Sequence, residues 1–260
     1  MGSALLGGLL SSGWVTPDQV AVAETVAARR EELHLEYPGV LVLDAPEEGL
    51  LLDAPDRLSG AVLAVKPDAA EGACRVLGAV GVSRLLSIVA GIPTARLETA
   101  LGGRPSVVRA MPNTPALVGA GVTAISGGSH ATSADLAWAE DVMAAVGRVV
   151  RLPERLIDPV TGLSGSGPAY FFLVAEALIE SGVQMGLTRD VSRLLVVETM
   201  LGSAKLLAET GEEPAVLRAM VTSPAGTTAA GVRALESRAV RSAFMEAVAA
   251  ATERSRSLHR

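Results

Sequence analysis

Cysteine, lysine and aromatic residues are scarce in this chain of 260 residues. The single cysteine, Cys74, excludes an intramolecular disulfide and favours a reducing compartment. We expect Cys74 to be a small buried apolar residue rather than a nucleophile, because no histidine stands in a suggestive position. With 22 Lys and Arg against 28 Asp and Glu, the net charge is −6, which predicts no binding of nucleic acid.

Long hydrophobic runs free of helix breakers are missing as well. The longest uncharged stretch, 110–129, contains Pro112, Asn113 and Pro115, which excludes a membrane-spanning helix there. The first residues lack the basic region of a signal peptide. Because 49% of the residues are hydrophobic and 19% are charged, we expect a globular cytoplasmic protein that makes no membrane contact.

The chain contains only two lysines, so the use of lysine rather than arginine at each position is informative. A chain that uses arginine this heavily keeps a lysine where a planar guanidinium would not serve. Lys66, in the segment AVLAVKPD, is the more suggestive of the two. Lys205 falls in a long helical pattern and is expected at the solvated surface.

The first part of the chain alternates apolar strand-like runs with helical patterns. The strands are predicted at 20–23, 40–43, 61–65, 85–89, 107–109, 122–125 and 149–152, and the helices at 3–12, 25–34, 68–80, 94–101 and 133–146. Apolar strands separated by helices predict a mainly parallel, doubly wound sheet covered on both faces. We therefore expect a doubly wound α/β domain over residues 1–155, an architecture that includes the Rossmann-like folds.

After Pro153 the strand pattern stops. Residues 156–260 are expected to form an all-α domain, with helices at 167–183, 190–209, 214–221, 227–236 and 238–256. The stretch 191–207 is apolar around much of its circumference, although little else in this half of the chain could bury it. A second copy of the chain is therefore predicted to cover it, as a homodimer.

Two turns rich in Gly, Ser, Thr and Pro lead straight into helical patterns. They are GLSGSGPAYFF at 162–172 and TSPAGTTAAGVRALE at 222–236. The N–H groups of a helix N-terminus favour an anion, so each turn is a candidate cradle for a carboxylate or phosphate. An ordinary helix N-cap has the same composition, and both interpretations stay open on these residues alone.

The start of the chain is unusual for a dinucleotide-binding fold. Such a fold opens with a strand, G-x-G-x-x-G and a helix, whereas MGSALLGG matches only the helix, with Gly2 as the last glycine and Ser3 after it. We expect a start site assigned too far downstream or a truncated form, which would bind dinucleotide poorly and be less stable. Glu24, after the predicted strand 20–23, has the spacing of a ribose-binding acid.

The chain resembles the pyrroline-5-carboxylate reductases over essentially its whole length. The resemblance rests on MGSALLGG, LAVKP at 63–67, RAMPNTPALVGAG at 109–121, DPVTGLSGSGPAYFF at 158–172 and TSPAGTT at 222–228. It implies a dinucleotide domain followed by a helical dimerisation domain. It also implies reduction of the imine 1-pyrroline-5-carboxylate to proline by NADPH or NADH, the last step of proline biosynthesis, in a homodimer or a larger ring of dimers.

The resemblance also implies roles for individual residues. The cofactor would be bound by Gly2, Ser3, Glu24, Ala64, Val65, Lys66, Pro67, Ala90, Gly91 and, less certainly, Asn113. The substrate carboxylate would be held by Ser223 and by the N–H groups of Gly226, Thr227 and Thr228. Thr228 would be the catalytic residue, supplying or sharing the proton on the ring nitrogen. The segment 162–170 would form the tight entry into the helical domain and would line the active site from Ser164 to Gly167. No metal is required.

Two positions depart from the family pattern. Ala225 stands where a second glycine is usual, and we expect it to keep a negative φ. Glu24 repels a 2′-phosphate and favours NADH, although Arg29 and Arg30 keep NADPH open. A related imine or β-hydroxyacid reductase remains an alternative, and so does a non-catalytic dimeric descendant of a reductase.

Overall fold

The computed structural model describes residues 1–45 and 60–258. Their contacts divide the chain into two compact units. The α/β unit comprises Met1–Ser166 together with Ala250–Arg260, and the helical unit comprises Gly167–Ala249. The domain bounds expected from the sequence, 1–155 and 156–260, stay a prediction.

Strands and helices alternate through the α/β unit. Its strands are β1 (Ala21–Ala23), β2 (Leu41–Leu43), β3 (Ala61–Leu63), β4 (Arg84–Ser87), β5 (Ser106–Met111), β6 (Gly121–Gly127) and β7 (Gly147–Arg151). Its helices are α1 (Gly2–Ser11), α2 (Ala27–Glu36), α3 (Ala70–Ala79), α4 (Thr94–Ala100), α5 (Ser133–Ala144) and the short α6 (Ile157–Val160). Every predicted strand and helix of this region is present, with bounds that differ by a few residues.

The described strands form two sheets rather than one. β1 pairs with β2, and the larger sheet has the order β3-β4-β5-β6-β7. All neighbouring strands are parallel except β5 and β6, which run antiparallel from Val108 opposite Gly127 to Met111 opposite Ala124. The predicted mainly parallel α/β class is therefore confirmed, whereas the expected single sheet is wrong for the described strands.

Helix α1 connects the two sheets through its side chains. Leu5 and Leu9 join the core of the larger sheet, which is built around Leu86, Val108 and Ile125. Leu6 packs instead with Leu33, Val40 and Val42 in the core of the smaller sheet. Because residues three and four apart share neighbouring faces of a helix, one short helix contributes to both cores.

The helical unit is all α. Its helices are α7 (Gly167–Gln184), α8 (Arg189–Thr210), α9 (Pro214–Met220), α10 (Thr227–Ser237) and α11 (Val240–Ser257), the last of which continues into the α/β unit. Helix α8 begins where the Thr188 hydroxyl accepts a hydrogen bond from Val191 N, 3.3 Å away, and it ends at Gly211 with φ of 65°. The predicted helices of this half are confirmed.

The segment that precedes α7 is helical as well. Thr161–Gly165 form one π-helical turn, closed by Ser166 N donating to Thr161 O at 2.8 Å. The Thr161 and Ser164 hydroxyls donate to carbonyls one turn earlier. The tight turn expected at the start of 162–170 is therefore wrong, because local side-chain to backbone hydrogen bonds keep the chain helical here. The lining of the active site from Ser164 to Gly167 stays a prediction.

Candidate active site

Two of the predicted cofactor segments leave the same edge of the larger sheet. β3 and β4 are parallel and in register, with Leu63 opposite Ser87. The loop from Ala64 to Pro67 and the loop that contains Ala90 and Gly91 therefore both follow the carboxyl ends of neighbouring strands. Ligands of open parallel sheets bind at this edge.

The N-terminus of α1 lies beside the first of these loops. A Cβ added at Gly2 would lie 3.1 Å from the Ala64 Cβ, so the first turn of α1 approaches the end of β3 closely. The N–H groups of a first helical turn have no partner within the helix and point outward. Gly2 and Ala64 are thus close together. Contact of Gly2, Ser3 and Ala64 with the cofactor stays a prediction.

A cationic side chain adjoins this helix N-terminus. The Arg29 guanidinium donates to the Ser3 hydroxyl at 2.5 Å, and the Tyr37 hydroxyl donates to Ser3 O at 3.2 Å. The pKa of Arg29 is raised, mainly by its hydrogen bond to Glu32, so the group is charged at all ordinary pH. Positive charge beside free N–H groups fits a phosphate-bearing ligand.

Glu24 follows β1 directly, and its surroundings orient its carboxylate. Its Oε1 accepts a hydrogen bond from Val26 N at 2.9 Å, and its backbone carbonyl accepts one from the Arg30 guanidinium at 2.8 Å. The Glu24 carboxylate thus stabilises the turn into α2, and the Arg30 side chain is hydrogen-bonded to the same turn. The position after the second strand of such a fold is where an acid meets the adenosine ribose.

Glu154 fixes the far end of the loop between β4 and α4. Its two carboxylate oxygens accept hydrogen bonds from Thr94 N at 2.8 Å and from the Thr94 hydroxyl at 2.7 Å. The same carboxylate lies 3.3 Å from the buried guanidinium of Arg109 on β5. Sequence reasoning missed Glu154, because its partners are 45 and 60 residues away in the chain and leave no local pattern.

Asn113 has a structural task. It is 9% exposed, and its Oδ1 accepts a hydrogen bond from Val122 N at 2.9 Å. This bond holds the start of β6 against the preceding loop. Contact between Asn113 and the cofactor stays a prediction.

In the helical unit, Ser223 to Gly226 form a turn that leads into α10. Gly226 N donates to Ser223 O at 3.1 Å, and Ala225 has φ of 60°. A four-residue turn of type II has positive φ at its third residue, which here is Ala225. The expected negative φ at Ala225 is therefore wrong, because the hydrogen bond that closes the turn requires the left-handed conformation there.

This turn leads directly into the N-terminus of α10. Gly226 is the N-cap, and Thr227 and Thr228 are the first two residues of the helix. The Gly226 N–H is already used to close the turn, so it is not free for a carboxylate as expected. Thr227 and Thr228 occupy positions whose N–H groups have no intrahelical acceptor, and the Thr228 side chain is half-buried.

Other singled-out side chains have ordinary environments. Cys74 is fully buried, and burial raises the pKa of its thiol to about 11, which makes it a poor nucleophile. Lys205 is an exposed residue 3.8 Å from Glu209 on the same helix. Within residues 1–45 and 60–258, no three His, Cys, Asp or Glu side chains cluster as metal ligands would.

The helical unit exposes a large apolar surface on α7 and α8. Exposed side chains include Phe171, Phe172, Leu173, Leu178, Leu194, Leu195, Val197 and Leu201. Between the two helices lies an apolar groove of about 260 Å³, where the buried Ser192 hydroxyl finds no hydrogen-bond partner among the described residues. The helical run Glu154–Gln184 is also long and apolar enough to cross a membrane, a criterion that interface helices of water-soluble proteins meet too.

Known proteins share this arrangement along the whole chain. The family profile described as "Pyrroline-5-carboxylate reductase dimerisation" matches residues 154–258. A pyrroline-5-carboxylate reductase of Synechocystis is 42% identical over 99% of this chain and 94% of its own length. The chain belongs to the pyrroline-5-carboxylate reductase family. The predicted family is thereby confirmed.

Solved structures of the family agree with the fold. A pyrroline-5-carboxylate reductase from Coxiella burnetii superposes with a TM-score of 0.88 at 33% identity, covering 100% of this chain and 95% of that one. The pyrroline carboxylate reductase of Plasmodium falciparum, solved with NADP bound, superposes with a TM-score of 0.86 at 29% identity and the same coverage. An α/β domain followed by a helical dimerisation domain is therefore the fold of this chain.

Proposed function

We propose that this protein reduces 1-pyrroline-5-carboxylate to L-proline with NADPH or NADH. The observation that carries the proposal is the Ser223–Thr228 turn. Ser223, Thr227 and Thr228 lie around N–H groups at the start of α10 that suit a small carboxylate. Relatives of this chain bear the name of the enzyme. The family membership supports the same reaction.

The α/β unit supplies the residues for the cofactor. The first turn of α1, with Gly2, Ser3 and the neighbouring Arg29, fits the phosphates of a dinucleotide. Glu24 is placed for the adenosine ribose. The segment Ala64, Val65, Lys66 and Pro67 and the segment Ala90 and Gly91 follow β3 and β4, at the edge where the nicotinamide would lie. When bound, the cofactor supplies a hydride to the imine carbon.

The helical unit supplies the residues for the substrate. Ser223 and the N–H groups of Thr227 and Thr228 hold the carboxylate at the start of α10, where the helix dipole favours negative charge. The Thr228 hydroxyl lies next to the ring nitrogen and keeps it protonated, directly or through a water. A protonated imine accepts a hydride readily, so positioning the reactants accounts for most of the catalysis.

The protein acts as a homodimer that assembles through α7 and α8, alone or within a larger ring of dimers. Exposed leucine and phenylalanine side chains on these helices would lose their contact with water when a second copy covers them. The same second copy would cover the apolar surface of the helical run Glu154–Gln184, which would then make no contact with a membrane. The cytoplasm is the compartment that fits one buried thiol and no disulfide.

A cofactor oxidation assay tests the proposal. Purified protein is mixed with NADPH or NADH and 1-pyrroline-5-carboxylate, absorbance at the reduced nicotinamide band is followed, and proline is identified as the product. A parallel reaction with 1-pyrroline, which lacks the carboxylate, is expected to show a much lower kcat/KM. Equal kcat/KM for both imines would contradict the assigned carboxylate site, and absence of proline would contradict the proposed reaction.

A further inference from the structure

The last turn of α11 returns to the loop that follows β4. Leu258 lies beside Gly91: a Cβ added at Gly91 would be 2.9 Å from the Leu258 Cβ and 3.6 Å from its Cδ1. Gly91 has φ of 74°, a conformation that favours glycine. Close approach and backbone conformation therefore both select glycine at this point of the loop.

A buried hydrogen bond holds this C-terminal turn in place. The Ser255 hydroxyl, on a residue 3% exposed, donates to Asp158 Oδ1 at 2.7 Å. Ser255 and Asp158 are 97 residues apart in the chain, so the bond attaches the end of α11 to α6. A charge-assisted hydrogen bond that is shielded from water holds its partners firmly.

The loop after β4 is therefore held at its start, its middle and its end. Val89 N donates to the Ser87 hydroxyl at 3.3 Å near the loop's start, and Thr94 donates twice to Glu154 at its end. Leu258 covers the middle, at Gly91. Glu154 binds the end of this loop, and Asp158 binds the end of α11. The two carboxylates are four residues apart in the chain, about one helical turn, so a single segment carries both.

We propose that the C-terminal turn Ser255–Leu258, anchored by Asp158, positions the Ala90–Gly91 turn for the nicotinamide end of the cofactor. The inference rests on the proposed function, because that function makes Ala90 and Gly91 cofactor contacts. Leu258 and Ser255 act through the loop and do not touch the reacting atoms. Loss of their contacts would let the loop move and would weaken the grip on the nicotinamide, while the adenosine end stays bound.

The test compares two ligands that differ only in the nicotinamide. Dissociation constants for NADPH and for 2′-phospho-ADP-ribose are measured on the full chain and on the variants Leu258→Ala and Ser255→Ala. NADPH is expected to bind on the order of fivefold more weakly, and 2′-phospho-ADP-ribose with unchanged affinity. Leu258→Met, which keeps an apolar side chain of similar volume, should restore NADPH binding to within about twofold.

Arg256→Ala is the matched control, since Arg256 lies on the same turn and its partner among the described residues is Glu253, in an exposed ion pair. It should leave both dissociation constants unchanged. Equal weakening of both ligands in Leu258→Ala, or no weakening of either, overturns the inference. Failure of the proposed function would instead appear as lack of proline formation by the unmodified chain, whatever the variants do to binding.

Discussion

The buried guanidinium of Arg109, 2% exposed, lies 3.3 Å from the carboxylate of Glu154, which is 30% exposed. The pair links the centre of the larger sheet to the residue that fixes the loop after β4. Removing Glu154 would leave a cation buried on β5 without this partner, and it would also release the start of α4 at Thr94.

We expect Glu154→Ala to lower the free energy of unfolding by about 2 kcal/mol, the size of a hydrogen bond to a charged group. Chemical denaturation measures it. The control is Glu140→Ala, which breaks an exposed pair with Arg151 and should cost under about 1 kcal/mol. Equal losses in both variants would show that burial of Arg109 is not what gives the Glu154 pair its strength.

Thr228→Ala should lower kcat for 1-pyrroline-5-carboxylate about 10- to 100-fold, because the proposed proton handling at the ring nitrogen is lost. The KM for the cofactor should stay the same. Thr228→Ser, which keeps the hydroxyl, should retain most of the activity. If Thr228→Ala kept full turnover with unchanged substrate binding, Thr228 would not be the catalytic residue.

Glu24→Ala should shift cofactor preference toward NADPH. The carboxylate repels a 2′-phosphate and accepts a hydrogen bond from a free 2′-hydroxyl, so the ratio of kcat/KM for NADPH over NADH should rise on the order of tenfold, about 1.4 kcal/mol. Glu31→Ala, which removes an exposed acid on the neighbouring helix α2, serves as the control. A ratio that stays constant in Glu24→Ala would place the ribose away from this carboxylate.

Ala225→Gly should stabilise the helical unit. A left-handed alanine costs about 1–2 kcal/mol, and the extra freedom of a glycine in the unfolded chain costs about 0.5–1 kcal/mol, so a net gain of about 0.5–1 kcal/mol is expected. Thermal unfolding measures the change. Ala230→Gly, inside α10, should instead destabilise by about 1 kcal/mol, and stabilisation by both would point to a cause other than backbone strain.

Charged substitutions on α8 should disrupt the homodimer. Leu194 and Leu201 are each 62% exposed and two helical turns apart, so Leu194→Glu with Leu201→Glu would place two carboxylates in the proposed interface. Light scattering after gel filtration should report a monomer. Lys205→Glu, on the same helix at an exposed position, should stay dimeric; a dimer in the double variant would locate the interface elsewhere.

Local patterns explain why so many elements were predictable. Helix α8 begins at a Thr cap and ends at a glycine, and both signals are readable in the sequence. The apolar strands β4 and β5 stand between helical periods, which indicates parallel pairing. The turn before α10 could be singled out as a candidate anion cradle because its Gly, Ser and Thr residues are adjacent in the chain.

Features that depend on distant contacts were not predictable. The pairs of Glu154 with Thr94 and of Asp158 with Ser255 join residues 60 and 97 positions apart. Nothing local marks either carboxylate as more than a surface acid. The positive φ of Ala225 was missed for a related reason, because closure of the turn outweighs the residue's own preference.

The sequence by itself determined the family, the order of strands and helices, and the position of the turn before α10, because each depends on residue types at short, regular spacing. The tertiary structure alone decided the division of the strands into two sheets, the conformation of the Ser223–Gly226 turn, and the contact of Leu258 with Gly91. These depend on which distant backbone and side-chain groups meet, and that is set by the packing of the whole unit.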